Sequence, residues 1–521
     1  MPHQIEPPMN VLLVMTDQQR ADHVGFGGHP LVRTPHLDAL ARRGRRFERC
    51  HVANPICMPN RATILTGRMP SIHGTRQNGI PLDWNANTFV RVLRSAGYDT
   101  TLVGKAHFQN MGQPGLADQR PTGPGDAVRS ALAPEWDLWE EANRHRAAPI
   151  LLPSDYYGFD HVELVTGHTD TASGHYIHWL RARGVEPEDL RPPAAPLVRY
   201  DGWNQVYQSM LPVDLYHTSY VADRACAALE RVAGSDRPFF LQVSFPDPHH
   251  PFGPPGEYYT RHDPATIPLP HSWNDTLVNA PRHIRDIAAQ VGTQTFVVQP
   301  FRPTEEQFRH AAAAELGMIE LIDQAVGTVL AALDAHGLAD NTTVLFTSDH
   351  GDMMGDHGII LKGSMHYEGC TRVPLVIAGP GIEPGTSDAL VSSLDIAQTV
   401  LDVCGLDSYL GMQGASLRPL LVGSASQLRD CLVIEEDEPF DVYHTGRGLR
   451  MRTLISDEAR LTVYEGTSVA ELYDLRQDGS ELVNLADEPE AAQLRSSMFE
   501  RLARALVHLD DHAPRPLRYT A

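Results

Sequence analysis

Short apolar runs that break off into polar, chemically active residues recur along this chain. NVLLVMTD (10–17) ends in Asp17, and DTTLVGKAHF (99–108) runs out at Lys105 and His107. FFLQVSFPDPHH (239–250) reads as a strand ending at His249, and NTTVLFTSDHGD (341–352) ends in Asp349 and His350. VPLVIAGPG (373–381) is one more such run. Runs this apolar over so few residues predict strands buried on both faces, and buried strands of that kind belong to parallel sheets. Helical segments separate them. TPHLDALARRG stops at Gly44, NTFVRVLRSAG stops at Gly97, TSYVADRACAALERV precedes the third strand, and a long helix spans 305–335. This alternation predicts an α/β fold with a mostly parallel central sheet sandwiched by helices.

A chain of 521 residues is long for one small domain. We assign 1–420 to the catalytic α/β domain. Residues 421–521 form a smaller C-terminal α+β subdomain with a small antiparallel sheet, a turn at Asp478-Gly479, an amphipathic helix and a tail. Residues 110–215 are rich in Pro, Gly, His and Trp with weak periodicity and read as insertion loops that shape a pocket. A formal charge of -22 argues against a nucleic-acid partner, which needs clustered Lys and Arg. The apolar part of MPHQIEPPMNVLLVMTDQQR is too short for a signal peptide or a membrane span. The six cysteines lack CxxC pairs and read as reduced thiols of a cytoplasmic protein.

The polar clusters sit just past strand C-termini, where open α/β sheets place their ligand crevice. One Asp at a strand end is ordinarily a helix cap. Asp17, Asp349 and His350 from two strand ends instead suggest a divalent cation site, since buried carboxylates need pairing or metal. The imidazole favours manganese over calcium, which prefers an all-oxygen shell. Asp352, Asp356 and His357 in DHGDMMGDH are read as residues that hold a turn. A second group, Arg61, Lys105, His107, His249 and Lys362, would form a local anion pocket with two imidazoles able to move protons.

ICMPNRATILTGR (56–68) places Cys57 four residues before Arg61 where the chain enters a helix. A buried structural thiol is the ordinary reading of such a cysteine. The segment also matches Cys-x-Pro-x-Arg followed by Thr-Gly-Arg, and the chain resembles a sulfatase of the alkaline phosphatase superfamily. SDHG, GKAHF, KGSMHYEGCTRVPL and ELYDLRQDGSELVNLA fall where that family has similar segments.

The resemblance implies that a formylglycine-generating maturation enzyme oxidises Cys57 to formylglycine, whose hydrate provides the nucleophile. Pro59 and Arg61 would lie in the recognition motif, and Arg61 would afterwards stabilise the diol. One hydroxyl attacks the ester, and the other is deprotonated so that the intermediate collapses and expels the anion. By the same resemblance the metal ligands are Asp17, modified Cys57, Asp349 and His350, holding one divalent ion (Mn2+, with Ca2+ the alternative). Lys105 and Lys362 would bind anionic oxygens, His249 with Lys362 would protonate the leaving group, and His107 would serve the diol.

Many sulfatases have two adjacent aspartates where this chain has Asp17-Gln18, and Asp-Asn where it has Asp349-His350. Those substitutions resemble the phosphonate monoester hydrolase and choline sulfatase branches. RQNGIPLD (76–83) is similar to the former, which would make Gln18 and Asn78 substrate-contacting, while GKAHF keeps the sulfatase Lys-x-His pair. The expected activity is hydrolysis of small anionic esters: sulfuric monoesters, or phosphonate monoesters and phosphodiesters at the same site. Two other readings stay open, a silent anion-binding protein on this fold and a cysteine-dependent hydrolase. A homo-oligomer with the tail in its contacts is expected.

Overall fold

The computed structural model describes residues 9–112, 135–190, 198–295, 298–439, 441, 443 and 448–515. Its centre is a nine-stranded sheet. From one edge the strands are Gly385–Ser392, Arg45–His51, Leu375–Ala378, Thr342–Ser348, Asn10–Thr16, Phe239–Ser244, Asp99–Gly104, His161–Thr166 and Ser173–Gly174. The run from Thr342–Ser348 to His161–Thr166 is parallel throughout. Leu375–Ala378 and Ser173–Gly174 pair antiparallel.

Every residue of Asn10–Thr16 is buried. Val11, Leu13 and Met15 pack into one core, with Phe89, Leu93 and Ile396. Leu12 and Val14 pack into the other, against helices His217–Val232 and Glu305–Ala335. Two buried faces explain why this strand reads as an unbroken apolar run. Helix Glu305–Ala335 starts with a capping box between Thr304 and Gln307. It is apolar and long enough to cross a membrane, but 78% of its most apolar window is buried inside the fold, as in a core helix.

Three expectations need correction. The third strand ends at Ser244, not His249. Pro246, Pro248 and Pro251 follow, and proline has no N–H to give to a ladder. Residues 135–190 are not only loops. Helices Ala142–Ala147 and His175–Arg181 lie there, and His161–Thr166 extends the main sheet; its exposed first residue hides it from a search for fully apolar runs. The remainder of the expected loop region at 113–134 and 191–197 lies outside the described residues, as do residues 1–8 and the tail from 516. In the C-terminal segment the strands Cys431–Asp437, Arg450–Ser456, Ala459–Tyr464 and Ala470–Asp474 form an antiparallel sheet. The last reversal falls at 465–469, where Gly466 takes φ 74°, rather than at Asp478-Gly479. Past that second turn the chain docks irregularly, through Leu485 N–H to Leu472 O at 2.7 Å. The amphipathic helix is Ala492–His508.

Thr342–Ser348, Asn10–Thr16, Phe239–Ser244 and Asp99–Gly104 are neighbours in the sheet. Their C-terminal ends therefore bring Asp349 and His350, Asp17, His249, and Lys105 to one rim.

Candidate active site

Helix Cys57–Thr66 points its N-terminus at this rim, and all ten of its residues are buried. Ile56 gives the helix no side-chain cap. Asn54 Oδ1 accepts from Ile56 N–H at 2.8 Å and Asn78 Oδ1 from Met58 N–H at 3.2 Å. The first residue of the helix, Cys57, thus sits at the positive end of its dipole.

Cys57 Sγ lies 3.0 Å from His350 Nε2 and 3.7 Å from Asp17 Oδ1. His350 Nε2 is 3.4 Å from Asp17 Oδ1 and 3.6 Å from Asp349 Oδ1. His350 Nδ1 is 2.9 Å from Gly351 O, a contact that keeps a ring hydrogen on Nδ1 and turns Nε2 toward Cys57 and Asp17. One donor atom from each of Asp17, Cys57, Asp349 and His350 lies within 4.8 Å of the others, and all four residues are buried. Burial pushes the His350 imidazole down, but Asp349, with Cys57 and Asp17, pulls it up to about 9. Two buried carboxylates, a thiol and an imidazole that gathers positive charge fit a divalent cation.

Arg61, one turn beyond Cys57, ties the helix to three strand ends. Its Nε donates to Asp349 Oδ2 at 2.6 Å, and its Nη1 donates to Lys105 O and Ser244 Oγ, each at 2.9 Å. Its Nη2 is buried without a hydrogen-bond partner among the described residues, 3.7 Å from Asp17 Oδ2. Burial and Asp17 raise the Cys57 thiol, but Lys105, Lys362 and His350 bring it below the ordinary thiol value.

Lys105 Nζ pairs with Asp17 Oδ2 and lies 2.9 Å from His168 Nε2. Lys362 Nζ donates to Gln18 Oε1. Gln18, held at φ 65°, gives its backbone N–H to Asp349 Oδ1 at 3.1 Å and its amide to Asp352 Oδ2 at 2.5 Å. Asp352, Asp356 and His357 hold the adjoining loop. Asp352 Oδ1 accepts from Met354 and Leu361 N–H, Asp356 pairs with Arg20, and His357 with Asp275.

His249 Nδ1 is 2.5 Å from His250 O, which leaves Nε2 as the free face. Its ring stacks on His168 at 3.8 Å and 7°, and on His250 at 4.2 Å and 21°. Burial, then His168 and Lys362, keeps the His249 imidazole well below the usual histidine value. His107 Nδ1 is buried without a partner among the described residues, and burial with Lys105 and Arg61 likewise holds that ring neutral. Asn78 is exposed beside the helix entrance.

The predicted site residues thus gather around Cys57, with Asn78 at the edge. Sequence reasoning missed His168. It follows His161–Thr166, so the strand-end rule that found the others would have found it had that strand been recognised. Chemically, the site joins a cation-binding cluster to lysine, arginine and neutral imidazole groups. That combination suits attack on a tetrahedral anionic ester.

Residues 9–406 match the family described as Sulfatase, and residues 355–508 the family described as N-sulphoglucosamine sulphohydrolase, C-terminal. An arylsulfatase of Clostridium perfringens is 29% identical over 92% of this chain and 91% of that protein. A choline-sulfatase of Rhizobium meliloti is 28% identical over 92% and 83%. The phosphonate monoester hydrolase structure from Agrobacterium radiobacter superposes with a TM-score of 0.77, 27% identity and 96% coverage of both chains.

Proposed function

The chain belongs to the sulfatase family of the alkaline phosphatase superfamily, and from that premise we propose that it hydrolyses sulfuric monoesters with one divalent metal ion and a formylglycine made from Cys57. The observation that carries this reading is the seat of Cys57, at a buried helix N-terminus against Asp17 and His350 with Arg61 one turn on.

Asp17, Asp349, His350 and residue 57 would hold the metal, with manganese favoured by the imidazole and calcium the alternative. When bound, the ion would lower the pKa of the hydroxyl nucleophile and offset charge on the ester. Formylglycine would supply that hydroxyl in place of the thiol. The unpartnered Arg61 Nη2 and His107 Nδ1 are two buried polar atoms suited to its oxygens.

The other roles fall to fixed residues. Lys105 Nζ and Lys362 Nζ bind the anionic oxygens of the ester. Lys362 Nζ carries the hydrogens for the leaving oxygen, and His249, neutral in the free protein, shares in the proton transfer only as the imidazolium that takes up a proton at Nε2 beside the bound anion. His107, neutral at ordinary pH, accepts a proton at Nδ1 when the anion is expelled. Small anionic esters and a formylglycine-generating enzyme are the partners in this reading, with no nucleic acid and no membrane. Six unpaired cysteines support a cytoplasmic setting, and a homo-oligomer is part of the same proposal.

A second reading, phosphonate monoester or phosphodiester hydrolysis, is favoured by Gln18 and His350 in place of the second Asp and the Asn. Asn78 at the helix entrance adds to it. Relative rates on 4-nitrophenyl sulfate and a phenyl phosphonate ester separate the two.

The test is the mass of the peptide spanning 46–61, from protein made together with a formylglycine-generating enzyme. Exchange of the thiol for a carbonyl oxygen lowers it by about 18 Da. The expected result is that shift, with hydrolysis abolished in Cys57→Ala. An active protein whose Cys57 remains a thiol overturns the nucleophile and leaves the cysteine-hydrolase reading.

A further inference from the structure

Glu140 belongs to none of the groups named so far, yet it is completely buried. Its carboxylate accepts three consecutive backbone N–H groups. His107 donates to Oε2 at 2.6 Å, and Phe108 and Gln109 donate to Oε1 at 2.9 and 3.0 Å. Tyr156 Oη–H donates to Oε1 as well, at 2.6 Å. Such a concentration of donors on one buried carboxylate fixes the backbone of 107–109 to the segment that carries Glu140. Gln109 repeats the link, giving its amide to Trp136 O at 2.9 Å and accepting Trp139 N–H at 3.0 Å.

The held turn begins two residues after Lys105, and His107 sits in it at φ 55°. A non-glycine residue in that region is strained, and persists where surrounding contacts enforce it. The conformation directs the His107 ring into the site, where Lys105, Arg61, Asp17 and His168 act on it electrostatically and its buried Nδ1 has no partner among the described residues.

We propose that Glu140 is the positioning residue of His107, fixing through the Oε2 bond to the His107 N–H the left-handed turn that aims the imidazole at residue 57. The role given to His107 rests on the functional reading above; the positioning itself rests on the bonds just described.

The two carboxylate oxygens allow a selective test. In Glu140→Gln the amide oxygen can keep the Phe108, Gln109 and Tyr156 bonds. Its NH2 then meets the His107 N–H donor to donor, so the bond to His107 alone is lost. Tyr156→Phe removes one bond from the other oxygen and leaves His107 held. In the matured, metal-loaded enzyme acting on 4-nitrophenyl sulfate, Glu140→Gln should lower kcat by about 10- to 100-fold with little change in KM. Tyr156→Phe should stay within about threefold, and the loss in His107→Ala/Glu140→Gln should match that of His107→Ala within about twofold. The His107 ring resonance, followed in histidine-labelled Cys57→Ala protein, should move with Glu140→Gln and not with Tyr156→Phe.

Equal losses in Glu140→Gln and Tyr156→Phe, losses that multiply in the double variant, or an unmoved ring resonance would each assign Glu140 to the fold alone. If Glu140→Gln does not fold, Glu140→Asp, which retracts the carboxylate by one methylene, takes its place with the same expectations. A wild-type enzyme inactive on both sulfate and phosphonate esters would overturn the functional reading instead, and the ring resonance would still decide the role of Glu140.

Discussion

His350 Nε2 lies 3.0 Å from Cys57 Sγ, although 293 positions separate the two residues in the chain. The contact exists because helix Cys57–Thr66 starts where strand Thr342–Ser348 ends, and because the Gly351 carbonyl orients the imidazole through Nδ1. His350 Nε2 therefore sits beside two carboxylates, where it would serve a bound cation as a nitrogen ligand. Removal of metal with EDTA should lower ester hydrolysis by at least about 100-fold, the scale of several kcal/mol of lost charge stabilisation. His350→Asn swaps the nitrogen for an amide oxygen, which suits a hard, all-oxygen shell. Reactivation of the stripped enzyme by Ca2+ relative to Mn2+ should then rise by about tenfold. An unchanged ratio would take His350 out of the metal shell.

His168 bridges two groups that the function assigns to different tasks. Its Nε2 is 2.9 Å from Lys105 Nζ and 3.4 Å from Asp17 Oδ2, and its ring covers His249. Truncation to alanine leaves Lys105 tied to Asp17 alone and uncovers one face of His249. His168→Ala should lower kcat/KM for 4-nitrophenyl sulfate by about 10- to 100-fold. The same change should weaken product inhibition by sulfate. Steady-state kinetics with and without sulfate read both, and unaltered inhibition would remove His168 from the anion site.

Much of this site was legible because its residues follow strands that have an apolar centre and are buried from end to end. Asp17, Lys105, Asp349 and His350 stand at or within two residues of such strand ends, so periodicity alone brings them to one rim. His249 was legible as a residue but not as a position, since Pro246 and Pro248 stand between it and the strand end at Ser244. His168 and Glu140 were illegible for another reason. The strand before His168 opens with exposed and half-buried residues, His161 to Glu163, because it lies near the sheet edge. Glu140 has no pattern at all, because three of its four donors are backbone N–H groups. Backbone partners leave no trace in side-chain sequence. The turn of the C-terminal hairpin was misplaced because Asp478-Gly479 is indeed a turn, but one that follows the last strand instead of preceding it.

A buried histidine outside the site gives a pH prediction. His51 is buried at the end of strand Arg45–His51, and burial first, with Arg372 and Arg49, holds its imidazole down to about 3. The unfolded chain binds the proton near pH 6.5 and the folded chain does not until about pH 3, so stability falls as pH drops through that window. The contribution is present above the unfolded value and approaches about 1.4 kcal/mol per pH unit at full effect. In His51→Asn, the fall in melting temperature between pH 6 and pH 5 should be shallower than in the wild type. The slopes are compared, since the cavity lowers the melting temperature at every pH. Parallel slopes would mean that His51 is protonated in the folded protein.

Arg61 carries the last prediction, because its geometry cannot be met by another cation. Its Nε and Nη1 reach Asp349 Oδ2, Lys105 O and Ser244 Oγ from one planar fork inside the protein. Lysine keeps the charge but presents a single nitrogen, so Arg61→Lys strands buried acceptors at about 1–3 kcal/mol each. The variant should melt lower and lose about 100-fold in kcat/KM, the equivalent of nearly 3 kcal/mol. Ser244→Ala leaves one buried Arg61 N–H without its acceptor, at about 1–3 kcal/mol of stability, but keeps the Asp349 and Lys105 bonds, and should retain activity within about threefold. Since Arg61 would also lie in the motif that the maturation enzyme recognises, rates are normalised to the fraction of Cys57 converted, read from the peptide mass. A normalised Arg61→Lys rate equal to wild type would limit Arg61 to maturation, whereas a loss that survives normalisation assigns it to the reaction itself.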